Sequence, residues 1–332
     1  MKISASVYSS KDTPLEEVVK DLDQHGIDYL HIDCRDDSSV FDDIEEIRSY
    51  SSTPIDLHLI TSQPEDYFDR INALGIEHVT LQHEDLNGYK YTGGLNSSMG
   101  LSVISETDID VFDPEHYDFI LMMATVPGES GGRFDKINFR KIRRFKKRYP
   151  DKLIHVDGGV NAEVSFILRN MGVHASVVGS YLFKQLPIGA ALLNLKTHDI
   201  ESHYVVSDFM RSREETPIVG PEGRSVKNVL ETIEEHRLGF TILEDATQKI
   251  EGIVSNADLR REVLRTVDTN EGIDLSNMIN REPITVSENM TVSDMLSYLK
   301  EFQFPINYLP VVDNERTVKG VVSFLNLVKG EL

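Results

Sequence analysis

The sequence predicts an α/β fold: a (β/α)₈ barrel over residues 1–195, then a smaller α+β unit over 203–332 made of a duplicated module. Three observations predict it. Short apolar runs alternate with amphipathic runs up to about residue 195, the rhythm of eight strand–helix units. The polar residues of those units gather at the C-terminal ends of the apolar runs, where barrels keep their active sites. From about residue 200 the texture changes, and a stretch of about 60 residues occurs twice. A doubly wound open sheet is the main alternative for the first part.

The predicted strands are "KISASV" (2–7), "YLHID" (29–33), "IDLHLI" (55–60), "HVTLQ" (78–82), "GLSVI" (100–104), "FILMMA" (119–124), "LIHVD" (153–157) and "ASVVG" (175–179). Between them, "PLEEVVKDLDQHG" and "PEDYFDRINALG" carry helical apolar spacing and stop at Gly. "LNLKTHDIESHYVVSD" is the predicted linker. The two copies of the module run over about 203–267 and 275–332. Each shows Pro-Ile, an "SV" or "TV" helix start, an apolar strand, an acidic turn, Gly, and an apolar strand ending in Ser. Pro217 corresponds to Pro283, Gly252 to Gly320 and Ser255 to Ser323.

Composition narrows the function. The 332 residues are 40% hydrophobic and 27% charged, as in soluble globular proteins. A formal net charge of -21 repels nucleic acid and anionic membrane, so neither partner is expected. No apolar run approaches the roughly 18 residues that span a bilayer, and "MKISASVYSSKDTP" has no signal-peptide core. The lone Cys34 excludes an internal disulfide and fits a reducing cytoplasm. Against the acidic total, ten Lys and Arg crowd residues 133–152, where Ile137, Phe139, Ile142 and Phe145 predict an amphipathic helix on the barrel's outside. Most such runs are solvated faces, and docking on an acidic surface is the other reading.

The candidate site starts from "YLHIDCRDD". His31 and Asp33, two apart, leave the same face of a strand. Polar side chains at a buried strand tip are costly unless paired, metal-bound or at work. His58 ends the third predicted strand and Asp157 the seventh, so a barrel brings all four over one cavity. Two imidazoles and two carboxylates suit one divalent ion: Zn²⁺, Fe²⁺, Mn²⁺ or Co²⁺. Glycine-bearing turns follow strands six, seven and eight: "VPGESGG" (Val126–Gly132), "DGGV" (Asp157–Val160) and "VGSYLF" (Val178–Phe183). Gly158, Gly159, Gly179 and Ser180 offer backbone N–H groups to a phosphate.

On these motifs, residues 1–185 resemble the ribulose-phosphate 3-epimerase family, a TIM barrel, over the whole domain. "ISASV" resembles its first strand, with Ser6 at the substrate-contacting serine. "HIDCRD", "DLHLI" and "VDGGV" stand where the family has its His-x-Asp, His and Asp. "PGESGG", with Gly131 and Gly132, resembles its mobile loop, and "VVGSYLF" its phosphate turn. The resemblance implies one metal ion held by His31, Asp33, His58 and Asp157, and inversion at C3 of a phosphorylated ketose through an enediolate. Asp33 removes a proton from one face, Asp157 returns one to the other, and the 126–132 loop closes over the site. The departures are Arg35 for Met, Asp37 for Gly, Ile60 for Met, Gln82 for His, and Val126-Pro127 for Asn-Pro. Arg35 is a further substrate-binding candidate, able to take a carboxylate or second phosphate. Two alternatives therefore remain: the same chemistry on a longer or acidic sugar phosphate, and a catalytically degraded barrel acting as a nucleotide-responsive scaffold.

Residues 203–332 resemble a tandem CBS (Bateman) pair, and "HRLGFTILED…GIVSNADLRREV" is similar to the pair attached to arabinose 5-phosphate isomerases. The resemblance puts Ser255 and Asp258 at a site for an adenine or cytidine nucleotide or a nucleotide-sugar. Ser323 stands at the second copy's site, where Asn326 replaces the Asp. A homo-oligomer is also implied.

Overall fold

The computed structural model describes residues 1–126, 131–184, 187–196, 202–268, 271–299, 301–302 and 306–324. The chain divides into two units between residues 201 and 202. In the first unit, strands β1 (Lys2–Ser6), β2 (Tyr29–Arg35), β3 (Ile55–Ile60), β4 (His78–Gln82), β5 (Ser98–Val103), β6 (Phe119–Met123), β7 (Leu153–Asp157) and β8 (Ala175–Val178) close into a barrel in sequence order. All neighbours are parallel, and β8 pairs back onto β1, which excludes the open sheet. Around it lie α1 (Leu15–Gln24), α2 (Val40–Tyr50), α3 (Phe68–Ala73), α4 (Ile137–Arg148), α5 (Ala162–Asn170), α6 (Ser180–Phe183) and α7 (Ile188–Lys196).

The eightfold strand–helix expectation fails in two places. After β4 and β5 the chain makes only 3₁₀ turns, His83–Asp85 and Ile109–Val111. The first connection contains Gly88, Gly93 and Gly94, all at positive φ, and the second contains Pro114 among acids, so neither carries an apolar helical stripe. Elsewhere the helix exits share one device. After α1, Gly26 at φ 67° donates to the Asp23 carbonyl while Ile27 donates to that of Leu22, and α3 and α5 end in the same way at Gly75-Ile76 and Gly172-Val173. This left-handed cap turns the chain into the next strand and buries the apolar residue behind it.

Strand alternation sorts the barrel's two faces. Leu30, Ile32 and Cys34 of β2 and Leu57 and Leu59 of β3 are fully buried. Between them, His31 stands beside Asp56 and Asp33 beside His58 in the strand register, so these four share the inner face. On α4, Phe139, Ile142 and Phe145 are buried as predicted, but Ile137 is 46% exposed, so the apolar stripe begins at Phe139. Its basic face pairs with acids of the same unit: Arg144 with Asp108 and Arg148 with Asp110. No described helix is long and apolar enough to cross a membrane.

The second unit is built from the two copies of the duplicated module. It contains α8 (Val206–Phe209), α9 (Val226–His236), α10 (Asn256–Thr266), α11 (Leu275–Met278) and α12 (Val292–Leu299). Its strands are β9 (Arg211–Ser212), β10 (Ile218–Val219), β11 (Phe240–Glu244), β12 (Ile250–Ser255), β13 (Val286–Ser287), β14 (Tyr308–Val312) and β15 (Val318–Ser323). They form two sheets, β10-β11-β12 and β13-β14-β15-β9. The duplication is visible in reciprocal bonds: Ile250 donates to the Arg316 carbonyl and Val318 to that of Gln248, each at 3.0 Å. Each module also reaches across to the other, β9 pairing with β15 and Asn280 making an isolated bridge to Ile253. That crossing explains the matched glycines. A Cβ on Gly252 would lie 2.6 Å from the Asn280 carbonyl oxygen, and one on Gly320 would lie 2.0 Å from that of Arg211. Phe240 and Tyr308, equivalent in the two copies, stack at 3.8 Å in the shared core.

Candidate active site and metal centre

The four polar residues singled out in the sequence come together at the C-terminal ends of their strands. His31 Nε2 lies 3.4 Å from Asp33 Oδ1 and 4.0 Å from Asp157 Oδ2, and His58 Nδ1 lies 3.1 Å from Asp33 Oδ1. One ligand atom each from His31, His58 and Asp157 falls within a 4.8 Å span, the size of a single-ion site. His31 Nε2 is buried and has no hydrogen-bond partner. Its other nitrogen, Nδ1, meets Asp56 Oδ2 at 3.0 Å, and Asp56 also accepts from Ser4 Oγ at 2.8 Å. A carboxylate behind an imidazole is how metal-ligating histidines are oriented. The donor set therefore fits a divalent cation. Where imidazole nitrogens face a carboxylate at these distances, a cation between them relieves the opposition of their lone pairs.

The electrostatics follow from this crowding. Burial pushes the Asp33 carboxyl up, but the close imidazoles of His31 and His58 outweigh it and hold Asp33 far below the usual carboxylate range. Burial and the neighbouring Asp33 charge raise Asp157 to about 6, against the pull of His31. Burial disfavours a charged His31, but Asp56 and Asp33 outweigh it and raise its pKa well above the ordinary value.

A cavity of 480 Å³ opens onto this cluster. Asp33 and Asp157 line it together with Ser6, Gly131, Gly158, Gly159, Gly179 and Ser180. The glycines keep it open: a Cβ on Gly179 would lie 2.3 Å from Ser9 Oγ, and one on Gly159, at φ +66°, would lie 2.2 Å from the Phe134 backbone nitrogen. His58 is buried behind Asp33. Gly132 stands just outside the lining, against Thr125. Arg35 ends β2 on the inner-face register, but it is exposed and does not line the cavity. The lid expectation falls mainly on residues 127–130, outside the described residues.

Sequence reasoning missed several residues. Asp56 carried a usable signal, since it precedes His58 by two in "DLH" and so shares its face. Gln82 was legible only as a departure, yet its Oε1 lies 2.8 Å from His58 Nε2. Ser9, Tyr8 and Lys11 line the cavity from the turn after β1 and carried no pattern. In the second unit, Ser255 caps α10, accepting from the Asp258 N–H and donating to Asp258 Oδ2 at 2.6 Å. Ser323 ends β15 in the equivalent place, while Asn326 lies outside the described residues.

Comparison with known proteins adds two matches to family descriptions. The ribulose-phosphate 3 epimerase family matches residues 2–183, and the CBS domain matches residues 275–331. Ribulose-phosphate 3-epimerase of Bacillus subtilis is 28% identical over 208 residues, 56% of this chain and 93% of its own. That of Methanocaldococcus jannaschii is 25% identical over 222 residues, 61% of this chain and 92% of its own. Among solved structures, the CBS-pair protein CBSX2 of Arabidopsis thaliana is 26% identical, with a TM-score of 0.31, covering 39% of this chain and 94% of that one.

Proposed function

The chain belongs to the ribulose-phosphate 3-epimerase family, and from that premise we propose that its barrel inverts C3 of a phosphorylated ketose, ribulose 5-phosphate or a near relative. One observation carries the reading: the unpartnered Nε2 of buried His31 faces the carboxylates of Asp33 and Asp157 at the mouth of a glycine-lined cavity. His31, Asp33, His58 and Asp157 would hold one divalent ion, Zn²⁺, Fe²⁺, Mn²⁺ or Co²⁺. Bound there, such an ion would supply Lewis-acid polarisation of the ketose carbonyl, which acidifies the C3 proton. The proton transfers fall to the protein. β2 and β7 are separated in the ring by β1 and β8, so Asp33 and Asp157 reach into the cavity from different walls. Asp33 takes the C3 proton on one face and Asp157 supplies one on the other, with the roles exchanged in reverse. The Gly158, Gly159, Gly179 and Ser180 turns, with Ser6 and Gly131, receive the phosphate end, and Lys11 adds a positive charge there.

The test is solvent-deuterium incorporation at C3 across a panel of ketose phosphates. Ribulose 5-phosphate or a close relative should incorporate deuterium as it epimerises; silence across the panel would leave the degraded-scaffold reading standing.

For the second unit we infer a site for an adenine or cytidine nucleotide or nucleotide-sugar around Ser255, Asp258 and Ser323, acting as a regulatory input to a homo-oligomeric cytoplasmic enzyme. The CBS match and the duplicated architecture support it. A nucleotide at 100 times its dissociation constant stabilises the state that binds it by about 2.7 kcal/mol. AMP, ATP, CMP and CTP, each added to the full chain, should therefore include one that raises the melting temperature. A flat response to all of them removes the sensor reading.

A further inference from the structure

We propose that Glu84 is a positioning residue that, acting through Gln82, fixes the hydrogen of His58 on Nε2 and so reserves Nδ1 for a metal ion. The purpose assigned to this chain of contacts rests on the metal reading above; its content rests on hydrogen bonds alone. Glu84 accepts from three donors: the Gln82 side-chain amide, the Thr107 hydroxyl, and the Ile104 backbone N–H at 3.2 Å. Burial pushes the Glu84 carboxyl up, but the bonds from Thr107 and Gln82 outweigh it and keep the group below its ordinary value. An ionised carboxylate can only accept, so the Gln82 group that faces it must be the NH₂. The other end of the amide, Oε1, then faces His58 Nε2 at 2.8 Å. An amide oxygen also only accepts, so Nε2 must carry the hydrogen.

Gln82 and His58 are each 0% exposed, so a misplaced hydrogen would leave two acceptors opposed in a dry interior, which is costly. The nitrogen left over, Nδ1, is the one that lies 3.1 Å from Asp33. Without the Gln82 constraint the preference would invert, because Asp33 is a carboxylate and favours a hydrogen on Nδ1. The pair Glu84–Gln82 thus opposes Asp33 for control of one imidazole. His31 is oriented separately, by Asp56 and Ser4, and serves as an internal control.

The experiment uses the full chain, stripped of metal and labelled with ¹⁵N-histidine, at mildly alkaline pH. Imidazole ¹⁵N shifts report the tautomer, and titration with Zn²⁺ reports affinity. The wild type should show His58 as Nε2–H. Gln82→Met removes the acceptor but keeps the Glu84 contacts to Thr107 and Ile104, and Glu84→Gln removes the anchor. Both should move His58 toward Nδ1–H and weaken Zn²⁺ binding by about 10–100-fold, with the His31 signals unchanged. A wild-type His58 that is Nδ1–H, or one that stays Nε2–H in both variants, overturns the proposal. If the wild type binds no Zn²⁺ yet the tautomer moves, the metal reading fails and the Glu84–Gln82 assignment stands. If Zn²⁺ binds and the tautomer does not move, the reverse holds.

Discussion

Asp157→Asn will stop epimerisation without stopping exchange. In this variant Asp33 can still remove and return the C3 proton of one epimer, on its own face of the sugar. In D₂O that epimer should acquire deuterium at C3 while its configuration persists. Asp33→Asn should do the same for the opposite epimer. Inversion needs both carboxylates, so kcat for inversion should fall about 10²–10⁴-fold in each variant, the scale of a lost general acid or base. Asparagine keeps a ligand oxygen in place, and metal content measured alongside the rate separates lost chemistry from a lost ion. The outcome that sinks the two-face reading is a variant that still washes deuterium into both epimers, because one side chain would then be serving both faces. The geometry behind the expectation is that Asp33 and Asp157 line one cavity from β2 and β7, strands that β1 and β8 keep apart.

How far this site was legible depended on whether its parts lay within one strand's periodicity. His31 and Asp33 could be paired on paper because spacing by two puts side chains on one face, and the barrel rhythm brought His58 and Asp157 to the same mouth. All eight strands lie within two residues of their predicted ends, because each is a compact, mostly apolar run. The missing helices after β4 and β5 were not foreseen, since the alternation was extended across segments whose Gly and Pro content argued against a helix. The side chains that orient the site were the hardest to see. Gln82 touches His58 across strands whose register only the folded barrel fixes, and Lys11 reaches the cavity from a turn with no periodicity. In the second unit the glycine match reads as a repeat, but its cause, backbone crossing from the other module, is a long-range contact no local pattern contains.

The largest stability effect expected in the barrel belongs to Asp56. It is 3% exposed, accepts from His31 Nδ1 and Ser4 Oγ, and faces an imidazole that is itself 1% exposed. Burial pushes the Asp56 carboxyl up, yet the charge and hydrogen bond of His31 overcome that and hold it well below the usual range, while the His31 pKa stands well above its own. In the metal-free protein the two are therefore expected to form a buried ion pair. Asp56→Ala strands a buried cationic ring and a buried hydroxyl, and breaking a pair of this kind costs about 3–5 kcal/mol, a large part of a typical domain's 5–15 kcal/mol. Asp56→Asn keeps an acceptor for both donors and should lose less. Asp56→Ala with His31→Leu removes both charges and should recover much of the loss, because the cost lies in the unpaired ion more than in the missing bond. Native-state hydrogen exchange of the β1, β2 and β3 amides in the presence of chelator measures the barrel by itself, whatever the second unit does. A single Asp56→Ala variant whose exchange free energies stay within about 1 kcal/mol of wild type would show that the pair does not form, since about 1 kcal/mol is the scale of an ordinary neutral hydrogen bond; the carboxylate behind His31 would then orient the ring without holding its charge.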